Sequence, residues 1–297
     1  MQVFVVCSTA PTQPHFEDCL TEVMADADLT REKTLSQSSL LGHAALLSGQ
    51  AKIPDEALRA RLREIGDTYK VDVNLFTQAP QKRRLLLSDM DSTIIQGESL
   101  DDLSEFAGVG EEIKAITKRA MAGEIDFVGA LRERLAMLKG KPASLTDKVI
   151  AHTSIFDGAS QLVATMRAHD ARCYLVSGGF TFLTSHIAAL LSFDGHYANE
   201  LLLEGDALAG VPSTPILDSH SKVNIMNDLM REFWLDSEQV MTIGDGANDI
   251  PMLSKAGLGV AWQGKPLVRD KIALQLNHST HCGGLFLQGY DESQIIG

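Results

Sequence analysis

The run Asp89-Met90-Asp91-Ser92-Thr93 sets two carboxylates two residues apart, directly after the apolar Leu85-Leu86-Leu87. In that spacing both can crowd one metal ion. Alternatively the first attacks phosphorus and the second handles the leaving-group proton. A plain turn or helix cap competes, because Asp and Ser are common where strands meet helices. Ser177-Gly178-Gly179 follows Tyr174-Leu175-Val176 and offers a hydroxyl and backbone N–H groups that suit a phosphate oxygen, although an ordinary turn explains it as well. Gly244-Asp245-Gly246-Ala247-Asn248-Asp249 follows Val240–Ile243. Acidic residues flanked by glycines suit Mg²⁺, a hard cation that takes oxygen ligands, and the glycines allow close backbone approach. The EF-hand spacing and terminal Glu of a calcium loop are missing. Lys222, at the start of a predicted helix, would be a solvated surface residue if read alone; beside the other three it is the cation that developing negative charge requires.

These groups become one site only if the chain brings their strands side by side. Short strands at Leu85–Leu87, Cys173–Val176 and Val240–Ile243 alternate with helices at Ser160–Ala168, Thr184–Leu191 and Lys222–Glu232, and a hairpin-like stretch covers Glu200–Leu208. That alternation predicts right-handed crossovers and a doubly wound, Rossmann-like parallel sheet of the α/β class, covered on both faces. In such sheets ligands bind beyond the carboxyl ends of the strands. Leu100 to Leu138 reads as helical almost throughout, a helical insert over about residues 97–153 with hinges near Gly97 and Thr153–Gly158. Ahead of it, residues 1–80 read as a small α+β unit: a strand at 2–7, a helix at Phe16–Asp26, a polar stretch, an apolar run near Ala44–Leu47, a helix from Pro54 to Ile65 and a strand at Val71–Phe76. The order expected is β-α-β-α-β, with Gln81-Lys82-Arg83-Arg84 as a solvated linker to the second domain, residues 81–297.

Composition narrows the partners. With 26 basic against 39 acidic residues the net charge is −13, which argues against nucleic acid or an anionic membrane surface. An anionic small molecule is still allowed, because a metal and a few placed cations can reverse the field inside a pocket. Cys7, Cys19, Cys173 and Cys282 are scattered without a CxxC pair, so reduced thiols are expected rather than a zinc site or disulfide framework. No apolar run is long enough to span a bilayer, and the start lacks the features of a secretory signal, which together predict a cytoplasmic protein.

The order DMDST, SGG, Lys222, GDGAND resembles the haloacid dehalogenase-like superfamily, and in particular its phosphoserine phosphatases, over about residues 85–290. The resemblance implies an aspartyl-phosphate pathway: Asp89 as nucleophile, and Asp91 as the acid that protonates the leaving oxygen and then the base that activates water. It implies Mg²⁺ held by Asp89, the backbone carbonyl of Asp91, and Asp245. Ser177, Gly178 and Lys222 would bind phosphoryl oxygens; Asn248 and Asp249 would complete the pocket, with Asp249 anchoring Lys222 or a metal-bound water. The insert corresponds to the family's cap. There Glu98 would meet the substrate ammonium, Arg134 its carboxylate, and Met121 and Phe127 its remaining surface, a pairing suited to an amino acid. Simple cap packing and exposed helix charges are the alternative for these four. Many relatives carry an ACT-like regulatory module ahead of the catalytic domain; residues 1–80 are compatible with a diverged one and with a role in dimerisation or packing.

The expected reaction is hydrolysis of phosphoserine, the last step of serine biosynthesis. A phosphotransferase to another hydroxyl such as homoserine, a phosphatase of another small phosphorylated metabolite, and a non-catalytic amino-acid sensor are the alternatives.

Overall fold

The computed structural model describes residues 2–51, 55–121 and 123–297, and the side chains of Asp55 and Met121 also lie outside the description. The N-terminal unit runs β1 (Gln2–Thr9), α1 (Phe16–Ala27), β2 (Leu29–Ser38), β3 (Gly42–Gln50), α2 (Asp55–Tyr69) and β4 (Asp72–Phe76). Its antiparallel sheet has the order β2-β3-β1-β4. Alternate residues of β1 and β3, among them Val3, Val5, Cys7 and Leu47, pack against Leu20 of α1 and Leu58 and Leu62 of α2.

The expected β-α-β-α-β order is therefore corrected to β-α-β-β-α-β, a ferredoxin-like arrangement. The polar stretch is β2, and the apolar run at 44–47 is the middle of β3. β2 escapes a pattern search because it is an edge strand with Thr30–Thr34 exposed. Register shifts at Arg31/Lys33 and Thr34/Ser36 also break its alternation. Pro54, the expected helix start, lies outside the described residues; α2 continues past Ile65 to Tyr69.

The second part opens with β5 (Leu85–Ser88) and the helical insert α3 (Ser99–Ala107), α4 (Gly110–Met121), α5 (Phe127–Met137) and α6 (Leu145–His152). There follow α7 (Ala159–Ala168), β6 (Arg172–Phe180), α8 (Thr181–Leu191), β7 (Gly195–Asn199), the antiparallel pair β8 (Leu201–Glu204) and β9 (Ala207–Pro212), and α9 (Ser219–Glu232). The chain ends with β10 (Val240–Gly244), α10 (Ile250–Lys255), β11 (Leu258–Trp262), α11 (Pro266–Lys271), β12 (Leu274–Leu276) and α12 (Cys282–Phe286). Every neighbouring pair in the sheet β12-β11-β10-β5-β6-β7 is parallel. β5 is central and wholly buried: Leu85 and Leu87 face Met226, Leu229 and Met252 on one side, while Leu86 faces the larger core on the other. This is why its sequence reads as an unbroken apolar run rather than an alternating one.

The insert leaves and re-enters the core side by side. Ile95 and Ile155 form an antiparallel bridge, Gln96 N–H donates to the Ser154 carbonyl at 2.8 Å, and Phe156 N–H donates to that of Ile94 at 3.0 Å. Both expected hinges thus lie in one small two-stranded joint. Among the described residues no helix is long and apolar enough to cross a membrane.

Behind the joint, His281 is fully buried, its ring 3.7 Å from that of Trp262 and 6.1 Å from that of Phe156. Neither ring nitrogen has a hydrogen-bond partner. Burial pulls its pKa from 6.5 down to about 3, weakly opposed by the Asp157 and Thr93 carbonyls, which approach the ring outside hydrogen-bond geometry. The folded imidazole therefore stays neutral while the unfolded one takes up a proton below its ordinary pKa. Stability from this group is complete above about pH 6.5 and is lost as pH falls towards 3, by up to about 1.4 kcal/mol per pH unit. Urea unfolding at about pH 7.5 and about pH 5 should show a larger loss for the native chain than for His281→Phe; equal losses would exclude His281 as the cause.

Candidate active site

β5 and β10 are neighbours, with Ser88 in register with Ile243, so Asp89 and Asp245 emerge together at the carboxyl edge of the sheet. Asp89 N–H donates to the Ile243 carbonyl at 3.0 Å, and Asp89 Oδ1 accepts from Met90 N–H at 2.7 Å. Asp89 Oδ2 faces the Lys222 ammonium at 2.9 Å. The same Nζ lies 2.7 Å from Asp249 Oδ1, and Asp249 Oδ2 accepts from Gly246 N–H at 3.0 Å. Lys222 stands at the start of α9, whose entry is fixed by Asp218 accepting from Ser221 N–H while Asp218 N–H donates to Ser221 Oγ. Gly244 must lack a side chain: a Cβ there would come within 2.6 Å of the Asp249 carboxyl.

Lys222 is 1% exposed. Burial alone would lower its pKa, but the Asp249 and Asp89 carboxylates raise it above the usual lysine range, so it stays charged. Burial and the Asp89 charge push Asp249 upward, against the pull of Lys222. The expected anchoring of Lys222 by Asp249 is the contact the structure contains.

Asp89, Asp245 and Asp249 each bring a carboxylate oxygen within 4.8 Å of the others, all buried. An all-carboxylate oxygen set in a closed space fits a hard divalent cation. Thr93 Oγ1 donates to Asp245 Oδ1 at 3.3 Å, and the Lys265 ammonium lies 3.0 Å from Asp245 Oδ2. Asp91 is outside this cluster by its carboxylate, which accepts from Ser99 N–H at 2.7 Å and from Ser177 Oγ at 3.3 Å. Burial first, and then the Asp89 charge, raise Asp91 to about 6.

A cavity of about 220 Å³ opens onto these groups, and Asp89, Asp91, Glu98, Phe127, Arg134, Ser177, Gly178, Asp245 and Asn248 all line it. Glu98, ahead of α3, accepts from Ser92 Oγ at 2.9 Å and faces Lys265 at 3.8 Å; desolvation in the cleft, then the Asp91 charge, push it up to about 7. Arg134, on α5, donates from Nε to the Ala130 carbonyl at 3.2 Å, and its guanidinium is held in the cavity wall. Phe127 overhangs Gly178 at the start of α5. A second cavity of about 440 Å³ lies beyond it, against Lys222, Gly178 and Asn248. Ser177 and Gly178 lie within β6, which continues to Phe180, where Val176 was the expected end. A side chain at Gly179 would strike Asp91 Oδ2 at 2.6 Å. The Met121 side chain lies outside the described residues.

Residues 86–254 match the family model of the haloacid dehalogenase-like hydrolases. The chain belongs to that family. A phosphoserine phosphatase of Archaeoglobus fulgidus is 35% identical over 72% of this chain, which spans 62% of that protein's length. A probable phosphoserine phosphatase of Schizosaccharomyces pombe is 36% identical over 84% of this chain and 85% of its own. The crystal structure of a HAD-family hydrolase from Salmonella enterica serovar Typhi superposes with a TM-score of 0.85 at 28% identity, covering 97% of this chain and 98% of that one.

Three cavity or loop residues of this haloacid dehalogenase-like hydrolase carry no role in the sequence motifs. Ser92 holds Glu98 from a positive φ of 53°, Ser99 N–H holds Asp91, and Lys265 balances Asp245 and Glu98. Lys265 follows β11, a fourth strand end; Leu258–Trp262 followed by Gln263-Gly264 is the signal that would have led to it.

Lys222→Met would leave Asp89 and Asp249 buried without their cation. Breaking a buried pair this way costs about 3–5 kcal/mol. Denaturant unfolding of the metal-stripped protein should show a loss of that order, and hydrolase activity assayed with Mg²⁺ restored should be lost; a stability change below about 1 kcal/mol would mean the ammonium is not what holds the carboxylates together.

Proposed function

We propose that this hydrolase is a phosphoserine phosphatase, converting O-phospho-L-serine to L-serine and phosphate as the last step of serine biosynthesis, with Mg²⁺ as its metal. The observation that carries the reading is one cavity walled by Asp89, Asp91, Glu98 and Arg134 together. An ester with an ammonium and a carboxylate finds a partner for each group there, which a sugar phosphate would not. The phosphoserine phosphatases among its relatives support the same substrate.

Asp89 attacks phosphorus in line, forming an Asp89 carboxylate–phosphorus bond as the phosphorus–serine oxygen bond breaks. Asp91, whose pKa of about 6 lets it carry a proton nearer neutrality than an ordinary carboxyl, delivers that proton to the departing oxygen. In the second half Asp91 takes a proton from water, whose oxygen bonds to phosphorus as the bond to Asp89 breaks. Ser177, the backbone at Gly178, and Lys222 stabilise the phosphoryl oxygens, and Asn248 completes the wall. A Mg²⁺ ion held by Asp89, Asp245 and the Asp91 carbonyl, with Asp249 beside it, would neutralise phosphoryl charge. The helical insert excludes water while Asp89 is being loaded. The ferredoxin-like order of residues 2–76 supports reading the N-terminal unit as ACT-like.

Phosphate release with Mg²⁺ should favour phosphoserine over a sugar phosphate and a nucleotide, and chelation should abolish it. If phosphoserine were no better than the others, the substrate assignment would fall while the Asp89 chemistry survived; the same assay with added alcohols separates hydrolysis from transfer. Asp89→Asn should reduce turnover by a factor of about 10³ or more, since it removes the nucleophile, with the fold retained. Hydrogen bonds to charged groups are worth about 1.5–3 kcal/mol, so Arg134→Met should raise KM for phosphoserine about 10-fold or more and leave a phosphate ester without a carboxylate unaffected.

A further inference from the structure

Asp72, the first residue of β4 in the N-terminal unit, is buried, and its carboxylate is spent entirely on a loop of the hydrolase domain. Oδ1 accepts from Asn277 N–H at 2.7 Å and His278 N–H at 3.2 Å; Oδ2 accepts from Ser279 N–H at 2.8 Å and Ser279 Oγ at 2.6 Å. Ser8 of β1 adds a bond to Ser279 Oγ at 2.8 Å, and Ala10 N–H donates to the His278 carbonyl at 2.9 Å. Two residues further along β4 the Asn74 side chain pairs with both backbone groups of Gln275, at 2.9 and 2.8 Å, as a neighbouring strand would. A carboxylate with several N–H donors is a strong fixed anchor rather than an incidental surface contact.

The anchored loop continues into His281, whose backbone N–H donates to the Asp157 carbonyl at 2.9 Å. Its ring lies on Trp262 and beside Phe156, whose own N–H is held by Ile94. Gly158 has no room for a side chain, because a Cβ would come within 2.8 Å of the His281 and Cys282 nitrogens. The 277–281 loop therefore backs the returning strand of the joint at Phe156 to Gly158, and the opposing strand, bonded to it through Ile94, begins five residues after Asp89.

We infer that Asp72 is a positioning residue for phosphoryl transfer: from the N-terminal unit it holds the 277–281 loop, and through His281 it holds the joint of the cap. The inference rests on the proposed function only in expecting the cap to close over a phosphate ester. Its physical content is that the joint loses order when the anchor is cut.

The test uses the full chain at a temperature well below unfolding. Asp72→Asn keeps the shape but turns one acceptor into a donor facing N–H groups, and Ser279→Ala is the milder variant should Asp72→Asn fail to fold. Leu20→Ala, in the core between α1 and the N-terminal sheet, is the control that destabilises the unit without touching the loop. Hydrogen exchange at residues 93–97 and 153–157 should accelerate about 10-fold or more in the Asp72 or Ser279 variant and stay unchanged in Leu20→Ala. Turnover with phosphoserine should fall about 10-fold in the first pair only, as misplacement of a reacting group does. Unchanged exchange at the joint in a folded Asp72→Asn or Ser279→Ala would overturn the inference, as would equal acceleration in Leu20→Ala. Because exchange is read without substrate, it decides the matter even if phosphoserine proves not to be hydrolysed.

Discussion

Lys222 stands between two carboxylates that would otherwise repel one another in a space nearly closed to water. Taking any of the three charges out of water costs several kcal/mol, and only their mutual placement offsets it. Much of the local architecture follows from that constraint. β5 and β10 must be adjacent so that Asp89 and the 245–249 loop share one edge. α9 must begin at a fixed angle so that a long side chain reaches down between them, and Asp218 with Ser221 supplies the fixing. Gly244 must yield its side-chain volume to Asp249. A cluster with one cation to several anions also retains an appetite for positive charge, which suits a metal. Lys265 and Arg134 line the cavity beside these acids and place positive charge there, inside a protein of net charge −13.

The residues that gather at the cavity were more legible in the sequence than the scaffold, for a physical reason. Asp89, Asp91, Lys222, Asp245 and Asp249 sit at or just beyond strand and helix boundaries, where an apolar run stops and a polar residue must do something other than pack. Such transitions are visible in one dimension. Of the six parallel strands, β5, β6 and β10 were legible through the same runs, since strands buried on both faces have no polar side to blur them, while β7, β11 and β12 were not read. β2 was not: an exposed edge strand with two register shifts has neither an apolar face nor a steady period. Ser92, Ser99 and Lys265 were hidden differently. Ser92 reaches Glu98 with its hydroxyl from a left-handed turn and Ser99 acts through its backbone N–H, so neither contact can be read from side-chain type alone. Lys265 acts across the sheet from a strand whose end carries no acidic motif. Ser177 illustrates a displaced boundary, because β6 runs on through the glycines before α8 begins.

Two layers wall the cavity. The sheet edge contributes Asp89, Asp91 and Asp245, and the helical insert contributes Arg134 and Phe127, with Glu98 just ahead of α3. The β8–β9 hairpin steadies the far end of the insert: Gly140 N–H donates to the Leu208 carbonyl and Leu208 N–H to that of Lys141, at 2.9 and 2.8 Å. These bonds tie the insert to the rest of the domain away from the joint at Ile95 and Ile155.

The paired tethers at Ile95 and Ile155 have an evolutionary meaning as well. Directly opposed residues in an antiparallel pair are only about 5 Å apart, so the sheet sees the entire insert as a loop of almost no span. A segment whose two ends meet in this way can be lengthened, shortened or exchanged for another of unrelated shape without asking any strand of the core to move. Diversification of substrate in such a scaffold is then a matter of swapping what is hung on one joint, while the buried charges beneath it stay as they are.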